Sequence, residues 1–252
     1  WLPGSLVTNS AKATDALVME DDGLVTGDVQ ASGGATISPT TVIKGERRFN
    51  APPVKIPNLR IEDYDTSAKT GVTTYNSSSP GSNQVDGFAY RDGSLNFNSG
   101  VTLNGGVVYV KGDLTINGQI SGEGALIATG KLTVNGASQS SSHNKVALLS
   151  KQDMTLTGTS SNHVGASGLL YTEGKLQADY ADITGSAAAP TQDTGAIQFS
   201  NVNMLQNSAS TNITLQVGGP PSDLNFSSYS GNAGIGGGGG GGLPYGAVLR
   251  GG

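Results

Sequence analysis

Apolar and polar positions along the middle of this chain fall into a recurring phrase: VVYVKGDLTING (Val107 to Gly118), ALIATGKLTVNG (Ala125 to Gly136), ALLSKQDMTLTG (Ala147 to Gly158) and the looser LLYTEGKLQADY (Leu169 to Tyr180). The phrases start at 107, 125, 147 and 169, so the periods of 18, 22 and 22 residues match one turn of a β-solenoid. The second half of each phrase alternates: Leu114 and Ile116, Leu132 and Val134, and Met154 and Leu156 are separated by polar residues. A period of two predicts a strand with one buried and one wet face. The closing glycines Gly118, Gly136 and Gly158 are expected to supply positive φ for a sharp corner. The first half, as in Val107 to Val110, is apolar throughout, so its phase is unreadable and a neighbouring segment is expected over its outer face. Gly112, Gly130 and Gly174 mark a bend between the halves, with Gln152 the one departure. Each turn therefore holds at least two short strands and two corners.

Stacked turns place equivalent residues above one another. One outward column reads Asp113, Lys131, Asp153, Lys175, a charge ladder that favours the correct register, and beside it runs a threonine stack of Thr115, Thr133 and Thr155. The phrase extends to Phe88–Phe97, more weakly to Gly195–Leu205, and to Gly23–Ser32 followed by a short strand in Thr40–Gly45. This gives about six contiguous turns between 88 and 207, a rod of roughly 29 Å, plus one or two turns near the N-terminus. Asn9 to Glu20 is the single helix candidate. The expected fold is all-β, a right-handed parallel β-helix with an irregular N-terminal strap and a Gly-rich C-terminal tail. Its divisions are residues 1–87 (N-terminal turns, proline-containing basic strap and loop, packed on the solenoid), 88–217 (the solenoid core) and 218–252 (the tail). Within the strap, APPVKIPNL (Ala51 to Leu59) is held extended by three prolines, and SSSPGSN (Ser77 to Asn83) reads as a loop. Seven consecutive glycines, Gly236 to Gly242, read as linker or disorder.

Composition agrees with short strands and tight turns: 39 glycines in 252 residues, and only 13% charged. Without cysteine there is neither a disulfide framework nor a thiolate metal site. A net charge of −5 gives no global attraction to nucleic acid or anionic membrane. No run of 18 apolar residues and no signal peptide is present, and an opening on Trp1 suggests a processed or truncated product, which permits the removal of an N-terminal anchor.

Candidate chemistry is sparse. A carbohydrate-active β-helix needs clustered carboxylates, whereas the exposed repeat column alternates Asp with Lys. The trio Glu62, Asp63 and Asp65 reads as a cation site or as a solvated loop. His143 and His163 fall in successive turns, which permits a two-ligand metal site or a pH-sensitive spot, against two exposed loop histidines. Positive charge concentrates in Lys44, Arg47, Arg48, Lys55 and Arg60, a candidate DNA or polyanion site on a proline-stiffened segment, against a strap with solvated charges. No catalytic residue, cofactor or metal is expected.

VVYVKGDLTING, ALIATGKLTVNG and GLLYTEGKLQ, with the lead-in APPVKIPNL, resemble the β-solenoid region of minor pilins associated with type IV pili, of the PilX-like and ComZ-like kind. The resemblance covers roughly residues 50–205, and bactofilins use similar phrases. It implies a non-enzymatic recognition domain at the cell surface, displayed at a pilus tip with other pilins as partners, and serving natural transformation by uptake of extracellular DNA or adhesion to a surface ligand. The alternatives are a self-assembling bactofilin-like scaffold and, less favoured, a polysaccharide lyase or hydrolase.

Overall fold

The computed structural model describes residues 4–54, 56, 59–136 and 144–205, together with the strands Thr211–Gln216, Phe226–Ser230 and Ala247–Arg250. Parallel strands stack into a solenoid of about ten turns. The rod has three faces, one more than the phrase alone indicates, and in the core the residues before each phrase run on into its apolar half as one long strand, as in Val101–Lys111 and Ile120–Ala128. The alternating half-phrase builds a polar face, on which Leu95, Leu114, Leu132, Met154, Leu176, Ile197, Leu17 and Ala35 lie in one column. The apolar half-phrase builds a second face, whose column runs Ala89, Val108, Leu126, Leu148, Leu170, Ala187, Leu6, Val29, Arg47. Residues between the phrases form the third, including Ile183, Met204, Val25 and Ile43 in one column.

These columns show that the stack is continuous in space but not in sequence. The early strands Leu6–Thr8 and Leu17–Glu20 stack on Ala187–Ala189 and Ile197–Ser200, at the far end of the core. Leu6 takes the place above Ala187 that the chain leaving Leu205 does not fill. The helix expected over Asn9 to Glu20 is absent. Leu17–Glu20 is a strand whose Leu17 and Met19 enter the core, Asp15 takes a positive φ of 59°, and the Gly34 carbonyl accepts the Ala16 N–H at 3.0 Å. Two residues facing one way at spacing two satisfy a strand, and the open edge of the Ile197–Leu205 strand rewards it.

From Arg48 the chain crosses back along the rod to Thr73, which pairs with Ala89 at the opposite end. This strap covers the apolar half-phrases. On that face Val108, Val110, Leu126 and Leu148 point into the rod, while Val107, Tyr109, Ile127, Leu149 and Tyr171 point outward and form a second core with Leu59, Ile61 and Tyr64. A single 3₁₀ turn, Ile61–Tyr64, brings Ile61 and Tyr64 to the same side at spacing three. Further up, Asn9 fixes the strap through its side chain, donating to the Val54 carbonyl at 2.7 Å and accepting the Val54 N–H at 3.1 Å. The unreadable phase of the first half-phrase thus has a physical basis: both sides of those strands are buried.

The corner between the apolar and polar halves is a lock between successive turns. Asp113 Oδ1 accepts the backbone N–H of Lys131 in the turn above at 2.8 Å, and Asp153 Oδ1 accepts that of Lys175 at 3.0 Å. The charge ladder is in register, but its ion pairing is slight, with Lys131 Nζ 3.9 Å from Asp153 Oδ2. The carboxylates act mainly on the backbone. Gly130 is required by this arrangement, since a Cβ there would lie 2.2 Å from Asp113 Oδ1 and 2.7 Å from the Gly112 carbonyl carbon. Gly105 is required for a different reason, a φ of +71° with open space around it. Outside the solenoid, Thr211–Gln216, Phe226–Ser230 and Ala247–Arg250 pair into a three-stranded sheet. Gly236 to Gly242 lie outside the described residues.

The two glycines should respond differently to alanine. Gly105→Ala is expected to cost about 1–2 kcal/mol, the ordinary left-handed cost for a residue with a Cβ. Gly130→Ala forces a backbone shift between turns and is expected to cost more, about 2–4 kcal/mol. Urea unfolding of both variants checks the order.

Candidate functional site

The five cations of the candidate polyanion site do not converge. Lys44, Arg47 and Arg48 are exposed on the last rung, where the two-residue strand Arg47–Arg48 pairs with Val29 and Gln30. Arg48 is bound to Glu46, and Arg60, further along the strap beside Leu59 and Ile61, reaches Asp63 at 3.5 Å. Lys44 and Arg47 have no ion-pair partner among the described residues. Lys55 lies outside the described residues.

The acidic trio forms neither a cation site nor a free loop. Glu62 pairs with Lys151, Asp65 with Lys111 at 3.2 Å, and Asp63 with Arg60, so two of the three fasten the strap to the rod. The hydrogen bond from Lys151 holds the Glu62 carboxyl below its ordinary range. Burial pushes Asp65 up, but hydrogen bonds from Ser67 and Lys111 outweigh it and leave this carboxyl low as well. Lys111 also lies over the Tyr90 ring, 5.5 Å from its centroid, and Tyr90 stacks on Tyr109. Burial pushes the Tyr109 hydroxyl up to about 12. His163 Nδ1 lies 3.2 Å from Asp182 Oδ1 and its ring 5.7 Å from that of Tyr180, so it is not a free loop residue. His143 lies outside the described residues. No group of three or more metal-ligating side chains occurs among the described residues.

The polar face holds a site that the phrase did not disclose. On its lower rungs the outward amides bond to one another, Asn135 to Asn117 at 3.1 Å and Asn117 to Asn96 at 3.0 Å. On the upper rungs an open groove of about 320 Å³ crosses four turns. Its two outward columns read Thr155, Gln177, Gln198, Val18 and Thr157, Asp179, Ser200, Glu20. Gln177 donates to Gln198 at 2.6 Å, and Ser200 Oγ donates to Asp21 Oδ2 at 3.1 Å. The groove crosses the seam where Leu17–Glu20 stacks on Ile197–Ser200, so both ends of the described solenoid chain build it.

Along one side of the groove the corner changes character. Below, it is made by Gly118 and Gly136, with φ of 121° and 100°, and by Gly158, which lacks the positive φ expected of it; above, by Tyr180, Asn201 and Asp21, with φ of 49°, 54° and 56°. Left-handed backbone costs a side-chain-bearing residue about 1–2 kcal/mol, least for Asn and Asp. Three in succession mark a departure from the economy of the repeat. The sequence signal was present in the looser fourth phrase, where Gln177 replaces the column threonine and Tyr180 the closing glycine.

Comparison with protein-family models, with curated proteins and with solved structures returns no match.

The strap anchors carry a pH dependence. Glu62 and Asp65 titrate below their ordinary values of 4.5 and 3.8 in the folded state. Their contribution is therefore full above those values and is lost as pH falls through the lower folded ones. Glu173 has the opposite sign, because burial raises it and protonation relieves that cost. Hydrogen exchange of residues 59–66 should accelerate as pH is lowered from 4.5 to below 3.8, after correction for intrinsic rates, while Leu114–Asn117 stays protected. Tyr64→Ala, which empties a site only 2% exposed, should loosen the same segment at neutral pH at a cost of about 3–5 kcal/mol.

Proposed function

We propose that this chain is the recognition domain of a minor pilin, a non-enzymatic module displayed at the tip of a type IV pilus with other pilins, and that it serves adhesion. The observation that carries this reading is the division of labour between faces: the strap closes one, while the polar face offers a groove of fixed side chains across four turns. The resemblance of the repeated phrases to minor-pilin solenoids supports the placement. A rod built by backbone pairing holds such a surface without ordering cost at binding.

DNA uptake is the second reading. It is favoured by Lys44 and Arg47 on the exposed last rung, and weakened by the carboxylates that engage Arg48 and Arg60. A bactofilin-like filament is the third. It has against it one face of the same last rung, where a short edge strand of two arginines opposes end-to-end pairing, although Ala35–Ile37 and Thr41–Ile43 on the other two faces are each paired on one side only among the described residues.

Removing the protein from piliated cells separates the readings. Adhesion predicts loss of surface attachment with transformation retained. Loss of transformation alone, restored by wild type but not by Lys44→Ala with Arg47→Ala, would transfer the function to DNA uptake. Cells unchanged in both respects would refute the proposal.

A further inference from the structure

The groove on the polar face has a composition that selects its ligand. Gln177, Gln198, Thr157 and Ser200 present amides and hydroxyls, Asp179 and Glu20 present carboxylates, and no cationic side chain lines it. A phosphate or carboxylate polymer would meet negative charge with nothing to offset it. An extended peptide binds a sheet through an open backbone edge, whereas these strands are paired on both sides. What remains available is a flat array of side-chain donors and acceptors. Its columns run along the rod axis with a spacing of about 4.8 Å between turns.

We propose that this groove binds an uncharged polysaccharide lying along the rod axis. The pyranose repeat of an extended β-1,4-linked glycan is close in length to one rung, so one sugar falls at each turn and sugars of the same orientation recur at every second turn. Amides and carboxylates pair with adjacent hydroxyls, with the carboxylate as a strong acceptor. Asp179 gives only one oxygen to a protein partner, Asn201 at a long 3.5 Å, and the Glu20 carboxylate accepts no hydrogen bond among the described residues, so acceptor capacity is open at both. Tyr180, Asn201 and Asp21 hold the adjacent corner in left-handed backbone and keep larger side chains where the lower turns have glycine. The groove also spans the seam, so a bound glycan would tie Leu17–Glu20 to the strands below and raise the melting temperature.

The inference rests on the reading of the rod as a recognition module, and the two fail separately: cells test the module, purified protein tests the groove. Cellohexaose and the hexamer of N-acetylglucosamine are titrated by calorimetry, with hexagalacturonate and a single-stranded oligonucleotide as charged probes. At least one uncharged hexamer should bind and raise the melting temperature. Gln177→Ala with Gln198→Ala should weaken it about tenfold or more, the effect of losing one or two hydrogen bonds. Thr115→Ala, on the same face below the groove, should leave binding unchanged. Should the double variant melt early, Gln198→Leu removes the amide at nearly constant volume and is expected to weaken binding in the same direction. The proposal is overturned if neither uncharged hexamer binds, if binding survives these groove substitutions, or if a charged probe binds the groove more tightly.

Discussion

Every turn of this rod is held by the backbone edge of the turn below it, and that edge must be covered. Parallel strands leave their N–H and C=O groups unpaired until a neighbour arrives. Where the chain leaves the stack after Leu205, the edges of Ala187–Ala189 and Ile197–Leu205 would stand open. The N-terminal strands fill them, in register, with Leu6 on Ala187 and Leu17 on Ile197. Most other features follow from this closure, including the strap, which exists because a chain finishing its first turns at one end must reach the other end to begin the core.

The return path removes a second liability. Half-phrases apolar on both sides would expose Val107, Tyr109, Ile127, Leu149 and Tyr171 in a continuous stripe. A contiguous patch of that kind promotes association. The strap lies over it with Leu59, Ile61 and Tyr64, and its carboxylates meet lysines at the margins. Burial sets the position and the ion pairs set its edges, since exposed pairs alone contribute little.

The repeat was legible because backbone geometry leaves it little freedom. Alternation at Leu114 to Ile116 specifies a buried column, and the glycines before Asp113 and Lys131 specify corners where turns approach closely. The third face of the rod was not legible, since Val101–Asn104 and Ile120–Glu123 differ in composition and a bulge at Gly105 breaks the period between the copies. The order of stacking was equally hidden. Gly23–Ser32 resembles the phrase, yet its Gly27 and Asp28 precede a strand of the strap face, whereas Gly112 and Asp113 precede one of the polar face. A local pattern records which side of a strand is buried, not which face of the rod it joins. Nor could it place Lys44, Arg47 and Arg48 at one end and Arg60 on the strap, because proximity in sequence says nothing about where a crossing segment travels.

The groove lies where repeat chemistry and closure meet. Below it the polar face is self-satisfied, with amide bonded to amide across Asn96, Asn117 and Asn135. Continuing that pattern upward with a glycine corner would satisfy the fold at lower conformational cost. The chain instead places Gln177, Asp179 and Tyr180, then Gln198, Ser200 and Asn201, and then Glu20 and Asp21 from the other end of the chain, with three left-handed residues in succession. Strain of this kind persists only where surrounding structure over-determines it. Here the seam supplies that constraint, because its strands are paired on both sides. The place where the rod closes is thus the place where its surface chemistry departs from the repeat, and closure and the ordering of the groove are one event.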